Sequence, residues 1–178
     1  MNMVIRDETV ADERAIFQLT KRAFVQMPFS AGDEQRLINA LRKSGALAIS
    51  MVAVQGERVV GHIAFSPAKC RDQDDKWFAL GPVAVEPEFQ GQRIGSALIE
   101  AGIQRLKGVH ASGCILTGDP NFYSRFGFKP FPALCPPGEP PEYFMILPIQ
   151  CASPCEVVEF HPLFHSAADG VPPTVEAP

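Results

Sequence analysis

Apolar residues in the first part of the chain follow the period of an amphipathic helix. They recur at the i, i+4 and i+8 spacing at Ala15, Ile16, Leu19 and Ala23. Thr9 or Asp12 can cap the start of this helix. A second helix is predicted from Asp33 to Lys43, because its apolar residues share one face and Gly45 follows its end.

The other apolar stretches are short and dense, which is typical of buried strands. They predict strands at Met3 to Arg6, Leu47 to Val54, Val59 to Phe65, Trp77 to Val85, Cys114 to Thr117, Tyr143 to Ile149 and Glu156 to Phe160. One of these strands is interrupted by Gly81-Pro82. Because proline cannot donate to a sheet ladder, we expect a bulge or a local loss of pairing there.

The strongest helix signal of the chain runs from Ile94 to Leu106. A short helix is predicted from Asn121 to Phe126, and the prolines between Pro130 and Pro141 indicate a loop. The elements therefore come in the order strand, two helices, a run of strands, then helix, strand and helix. That order favours a mixed α/β sheet with helices packed on both faces.

Composition narrows the class of protein. The chain has 178 residues, of which 46% are hydrophobic and 20% charged, as in a soluble globular domain. Its net charge of -4 argues against a nucleic-acid partner. No signal peptide or apolar run of transmembrane length is found, and the five cysteines are scattered, so we expect a cytoplasmic protein without membrane association. We assign residues 1–165 to a single domain and 166–178 to a flexible tail.

The segment from Phe78 to Leu98 carries the clearest candidate binding site. An apolar strand leads through a tight turn into Gln90-Gly91-Gln92-Arg93-Ile94-Gly95-Ser96, the glycine-rich start of a helix. The unpaired N–H groups and the positive dipole end of a helix start suit a pyrophosphate, and Arg93 adds a fixed positive charge. The segment matches neither the P-loop nor the Gly-x-Gly-x-x-Gly pattern.

Two motifs resemble those of one enzyme superfamily. Gln90-x-x-Arg93-x-Gly95 resembles the Gln/Arg-x-x-Gly-x-Gly/Ala signature of the GNAT superfamily of N-acetyltransferases, with Arg93 in the usual place of the first glycine. We expect a non-glycine to be tolerated there if the residue is already helical. The block from Gly118 to Phe128 resembles the Gly-Asp-Pro-x-(Phe/Tyr)-Tyr-x-Arg-Phe-Gly-Phe block of small bacterial predicted acetyltransferases in that superfamily. The resemblance covers roughly Val4 to Ile149.

The resemblance implies the acyl-CoA N-acyltransferase fold, a mixed sheet splayed at its centre between the strands ending at Val85 and Thr117. Acetyl-CoA is then the co-substrate, and no metal is expected. The backbone of Val83 and Val85 would pair with the pantetheine, and the Val85 N–H would stabilise the oxyanion. The implied cofactor-binding residues are Val83, Ala84, Val85, Gln90, Gly91, Gln92, Arg93, Ile94, Gly95, Ser96 and Asn121.

The resemblance also implies a general acid. Tyr123 would protonate the departing CoA thiolate, although its aromatic neighbours also allow a purely packed role. The general base is left open. Glu34, at the start of the second predicted helix, is our candidate, and Glu86 is an alternative. His62 lies inside a strand, where a packed histidine is the expected state. The acceptor would be a small-molecule or peptide amine, whose identity no pattern specifies.

Two further functions compete with catalysis. A silent member of the superfamily would sense acyl-CoA or act as a regulatory partner, but the presence of Tyr123 and of an unbroken Val83 to Gly95 segment favours the enzyme. A zinc site is the other candidate, formed by Cys151, Cys155, His161 and His165. The five residues between the second cysteine and the first histidine are far fewer than the ~12 of a finger, so a C-terminal strand is favoured. A homodimer is common in the superfamily, but no pattern here indicates one.

Overall fold

The computed structural model describes residues 3–25, 27, 30, 32–70, 76–150 and 157–166. Its strands are β1 (Met3–Asp7), β2 (Ile49–Gln55), β3 (Arg58–Ala68), β4 (Trp77–Val85), β5 (Gly113–Thr117), β6 (Lys129–Pro130) and β7 (Phe144–Pro148). They form one sheet in the order β1-β2-β3-β4-β5-β7-β6. The helices are α1 (Glu13–Phe24), α2 (Glu34–Ser44), α3 (Ile94–Gly108), α4 (Pro120–Tyr123) and α5 (Leu163–Ser166).

Most elements lie where the hydrophobic pattern predicts them, but β6 and α5 were not predicted. Gly45 ends α2 in the left-handed conformation, with a φ of 75°. The predicted helix at 121–126 is one α-helical turn followed by a 3-10 turn. In the described part of the predicted strand at 156–160, only Glu159 pairs, in an isolated bridge with Lys69. Of the predicted tail, residues 167–178 lie outside the described residues.

The helices pack on both faces of the sheet, as predicted. On one face, α3 packs its apolar row, which includes Leu98 and Leu106, on the side chains of Phe65 and Leu80. On the other face, α1 and α2 pack on Val52 and on the remaining side chains of the central strands. This burial removes the apolar stripes of all three helices from water. No helix in the described part of the chain is long and apolar enough to cross a membrane.

A bulge interrupts β4 at the predicted place. Ile63 of β3 pairs with Val83, whereas Phe65 pairs with Leu80, so Gly81 and Pro82 occupy the space opposite one residue of β3. The extra residue resets the alternation of the strand. Leu80 and Val83 consequently both pack on the α3 face, although three positions separate them.

The sheet is splayed between β4 and β5, as the resemblance implies. These two strands run parallel and pair at only three positions, the last of which joins Ala79 to Ile115. Beyond that point β5 pairs with β7 through Thr117 and Phe144, while β4 continues beside β3. A gap therefore opens at the carboxyl ends of β4 and β5, where ligands bind in many α/β sheets.

Gly102 of α3 gives a test of how closely this helix lies on the sheet. A Cβ atom at this position would overlap the ring of Phe65. We expect Gly102→Ala to lower the free energy of unfolding by about 1–3 kcal/mol, measured by urea titration.

Gly108→Ala is the matched control on the same helix, because a Cβ atom there meets no atom within 4 Å. The control should be neutral or slightly stabilising. Equal effects of the two variants would contradict the packing of α3 described above.

Candidate active site

A cleft of about 170 Å³ lies at the splayed end of the sheet, on the α3 face. It is bounded by the end of β4, the turn that follows, the start of α3 and the segment around α4. Its lining residues are Val85, Phe89, Gln90, Gly91, Arg93, Ile94, Gly95, Ser96, Phe122 and Arg125. The structure therefore brings most of the predicted cofactor-binding residues to one surface.

The start of α3 presents free N–H groups to this cleft. No side chain caps the helix, and the N–H of Ala97 is the one that bonds back to the Arg93 carbonyl, at 3.0 Å. The N–H groups of the first turn before Ala97 consequently lack intrahelical acceptors. Together with the helix dipole, they make this end of α3 a site for an anion.

Arg93 corrects one expectation from the sequence. A non-glycine was expected to be tolerated here if the residue were already helical, but Arg93 does not meet that condition: it lies just before α3 in the left-handed conformation, with a φ of 63°. Side chains with a Cβ atom adopt this conformation at a cost, which explains why glycine is usual at the position. Unlike a glycine, the arginine brings a positive charge to the lining of the cleft.

A second arginine lines the cleft, and the sequence did not single it out. The guanidinium of Arg125 lies over the ring of Phe122, 4.8 Å from its centroid. Its place in the Tyr-x-Arg-Phe-Gly-Phe block is the sequence feature that could have identified it as a site residue. Arg93 and Arg125 thus both line the cleft at the start of α3.

The backbone of β4 directs polar groups into the gap. The N–H of Glu86 bonds to the Val60 carbonyl of β3 at 3.0 Å, and Ala84 pairs with His62. Because backbone groups alternate along a strand, those of Val83 and Val85 point away from β3 and into the gap. The Val85 carbonyl accepts a bond from the Gln90 amide at 3.2 Å, which leaves the Val85 N–H as the group facing the gap.

Four predicted cofactor residues do not line the cleft. The backbone of Val83 faces the gap, as described above, and the other three are held by different contacts. The backbone of Ala84 faces β3, and its side chain is buried against α1. The exposed Gln92 side chain donates to the Glu88 carbonyl at 3.4 Å. Asn121 is also exposed, and its side-chain amide donates to Asp119 at 3.1 Å.

Tyr123 is fully buried beside the gap. Its ring packs edge-on against Phe122 and Phe128, with centroids 5.0 and 6.0 Å away, in the core cluster that also contains Cys114. Its hydroxyl has no hydrogen-bond partner. Burial raises the pKa of the phenol, as does the nearby Cys114, so the hydroxyl stays protonated at neutral pH.

Glu34 lies at the same end of the sheet but on the opposite face. The other end of α2 carries Arg42, whose guanidinium bonds to Glu8 just after β1, so Glu34 points toward the splayed end. The Ser30 hydroxyl donates to its Oε1 at 2.5 Å, and its Oε2 has no partner. Burial raises the pKa of this carboxyl, which makes it a stronger base than an exposed glutamate.

The alternative base Glu86 is held in an ion pair. Arg22 donates to both of its oxygens, at 2.5 and 3.1 Å, and Arg58 lies 3.6 Å away. The bonds from Arg22 lower the pKa of Glu86 despite its burial. A carboxylate so strongly paired is a poor proton acceptor, which leaves Glu34 as the better candidate.

His62 is packed, in agreement with the expectation. The residue is fully buried, and its Nε2 lies 2.8 Å from the Ser50 hydroxyl. Burial lowers the pKa of the imidazole and favours its neutral form. The Glu8 carboxylate is close by, and its contacts with His62, Arg42 and Ser50 lower its pKa to about 2 despite its burial.

The candidate zinc ligands fall partly outside the structure. Cys151 and Cys155 lie outside the described residues, while His161 accepts a bond from the Leu163 N–H at 3.2 Å. In the described ranges, no group of three or more histidine, cysteine or acidic side chains could hold a metal ion.

Comparison with known proteins identifies the family that shares this arrangement. The family model described as "Acetyltransferase (GNAT) domain" matches residues 47–130, which include β4, the start of α3 and Tyr123. The N-acetyltransferase YhbS of Escherichia coli K12, itself uncharacterized, is 34% identical over 128 residues, which are 71% of this chain and 74% of that protein.

Solved structures are similar over nearly the whole chain. A GNAT family acetyltransferase from Brucella melitensis, in complex with acetyl-CoA, has a TM-score of 0.81 and 39% identity, covering 92% of this chain and 98% of that one. The structure of E. coli YhbS in complex with CoA has a TM-score of 0.83 and 28% identity, covering 96% and 95%.

The conformation of Arg93 can be tested by comparing two substitutions that both remove its charge. Only Arg93→Gly relieves the strain of a positive φ, whereas Arg93→Ala keeps it. We expect the glycine variant to be more stable than the alanine variant by about 1 kcal/mol in denaturant titrations. An alanine variant of equal or greater stability would show that residue 93 is not left-handed in solution.

Proposed function

Because the chain belongs to the GNAT family of acetyltransferases, we propose that it transfers the acetyl group of acetyl-CoA directly to a primary amine. The observation that carries this proposal is the gap between β4 and β5. It has an anion site at the start of α3 on one side and the buried, unpartnered hydroxyl of Tyr123 beside it.

We assign the cofactor to this gap. Its pyrophosphate would bind the N–H groups between Gly91 and Ser96, with Arg93 and Arg125 supplying positive charge. The pantetheine would extend beside β4 and pair with the backbone of Val83 and Val85, with Asn121 near its other side. The acetyl-CoA and CoA complexes of the two similar proteins support this assignment.

The reaction then follows from the groups at the gap. The neutral nitrogen of the amine attacks the thioester carbonyl, whose developing oxyanion is stabilised by the Val85 N–H. The C–S bond then breaks while the new C–N bond is kept, and Tyr123 donates its proton to the CoA sulfur. The proton that the acylated nitrogen must still lose returns to the Tyr123 phenolate and restores the phenol. Glu34 accepts the proton that the substrate ammonium must lose before attack.

The environment of each group suits its proposed role. A raised pKa keeps Tyr123 protonated until a thiolate forms beside it, and desolvation makes that thiolate more basic as well. A raised pKa also makes Glu34 a better proton acceptor. We place the protein in the cytoplasm, which fits the free thiols of Cys70, Cys114 and Cys135.

Tyr123→Phe separates catalysis from folding. The substitution removes a buried hydroxyl that has no partner, so the free energy of unfolding should stay the same or rise. We expect kcat to fall by at least about 100-fold, while the Kd for acetyl-CoA changes little. Steady-state kinetics with a panel of amines and calorimetric titration of acetyl-CoA measure the two effects.

Unchanged turnover of Tyr123→Phe would remove this residue from the acid role. If the native protein binds CoA tightly but acetylates no amine in the panel, the protein is instead a silent acyl-CoA sensor.

Gly95→Glu tests the cofactor site. A carboxylate in the first turn of α3 would repel the pyrophosphate and fill the cleft, so CoA binding should weaken by at least about 100-fold. Gln104→Glu adds the same charge to an exposed position of α3 and serves as the control. Normal affinity in a folded Gly95→Glu variant, with folding checked by its melting temperature, would exclude this placement.

A further inference from the structure

Four carboxylate side chains are buried among the described residues: Asp12, Glu34, Glu86 and Glu139. Two of them have an arginine partner. Arg6 donates to both oxygens of Asp12, at 2.7 and 2.9 Å, and Arg22 does the same for Glu86.

The other two buried carboxylates have hydroxyl partners instead. Ser30 donates to Glu34, and the Thr117 hydroxyl donates to Oε2 of Glu139 at 2.6 Å. No lysine, arginine or histidine of the described ranges forms an ion pair with either one. Burial raises the pKa of Glu139, although the Thr117 bond and the nearby His165 oppose this rise, and burial also raises the pKa of Glu34.

A buried carboxylate without a cation is costly to a fold. Asp12 and Glu86 each have an arginine partner, so the absence of one at Glu34 and Glu139 needs an explanation. A cationic ligand that enters the site would supply the missing charge. Under the proposed function, the substrate ammonium supplies that charge to Glu34. Glu139 then still lacks a cationic partner.

Glu139 lies on the acceptor side of the gap. Along β5, Cys114 and Leu116 pack on the α3 face while Ile115 packs on the opposite face, so alternation puts Thr117 on the face away from α3. Glu139 meets Thr117 at the carboxyl end of β5, where the gap opens. The cofactor cleft occupies the α3 face, so Glu139 faces the side from which an acceptor would approach.

Glu34 and Glu139 both border one buried apolar cluster. Leu37, one turn after Glu34, belongs to the same cluster as Phe144. The proline-rich loop that carries Glu139 packs on this cluster through Leu134 and Cys135. Two carboxylates at the border of an apolar cluster match a ligand with two charged ends and a hydrocarbon between them.

We propose that the acceptor is a slender alkyl diamine, one amino group of which is acetylated while the other, as an ammonium, binds Glu139. This inference rests on the proposed function, because Glu34 is taken there as the base for the reacting amine. Both carboxylates are more than nine-tenths buried, so a flexible alkyl chain fits better than a peptide. Thr117 is a positioning residue that holds Glu139 toward the ligand.

Calorimetric titration of the CoA-saturated protein tests the proposal without requiring turnover. The probes are diamines from 1,3-diaminopropane to 1,6-diaminohexane, with n-butylamine and 5-aminopentanoate as ligands that lack the second positive charge. We expect the best diamine to bind at least about tenfold more tightly than n-butylamine, and the amino acid to bind least well.

Glu139→Gln should remove this preference, so that the diamine binds no better than n-butylamine. Glu142→Gln is the matched control, since Glu142 is exposed in the same loop, and should keep the preference. Thr117→Val should reduce the preference in part. The ligand-free Glu139→Gln protein should melt at the same or a higher temperature, because it loses an uncompensated buried charge; a purely structural glutamate would give a lower melting temperature.

Equal affinities for diamine and monoamine in the native protein, or a diamine preference that survives Glu139→Gln, would overturn the proposal. A lysine-containing peptide that binds more tightly than every diamine would also overturn it. These outcomes are distinct from failure of the proposed function, which would appear as loss of amine acetylation with all ligands while diamine binding is retained.

Discussion

Strands β4 and β5 stay paired for three residue pairs and then separate, and this separation provides the space in which the proposed chemistry takes place. The bulge at Gly81 and Pro82 lies one residue past the last paired position, and bulges bend and twist the strand that carries them. Beyond it, Val83 and Val85 present backbone groups to the gap that would otherwise be satisfied by β5. In a continuous sheet those groups would pair with the neighbouring strand, and no polar edge would remain in the middle of the core.

The same gap divides the charges of the molecule between two faces. On the α3 face, the free N–H groups of the helix start are joined by Arg93 and Arg125, so the potential there is positive. On the opposite face, Glu86 is neutralised by Arg22 and Arg58, whereas the buried carboxylates Glu34 and Glu139 have no ion-pair partner in the described ranges. Under the proposed function, a phosphorylated cofactor and a cationic amine would approach from different faces and meet at the gap.

How far the sequence predicted this arrangement depends on the range of each interaction. The period of apolar residues predicts α2 and β4 almost to the residue, and a local turn pattern predicts the bulge. The ion pair between Arg22 and Glu86 joins residues 64 positions apart, and Thr117 is 22 positions from Glu139. No local pattern encodes such pairs, so the sequence alone ranked Glu86 beside Glu34 and overlooked Glu139.

The unpartnered groups near the gap also bear on how stability and function are balanced. The Tyr123 hydroxyl and one oxygen of Glu34 are buried without a hydrogen bond, and each such group costs about 1–3 kcal/mol. A phenylalanine and a leucine would fill the same space without that cost. Asp12 and Glu86, in contrast, are each paired with an arginine. Buried polar atoms without a partner also occur away from the gap, as at Ser66 and Trp77, so such an atom does not by itself mark a binding site. Under the proposed function, atoms of the bound substrates would supply the partners that Tyr123 and Glu34 lack, and the free protein would be less stable because it keeps these two positions open.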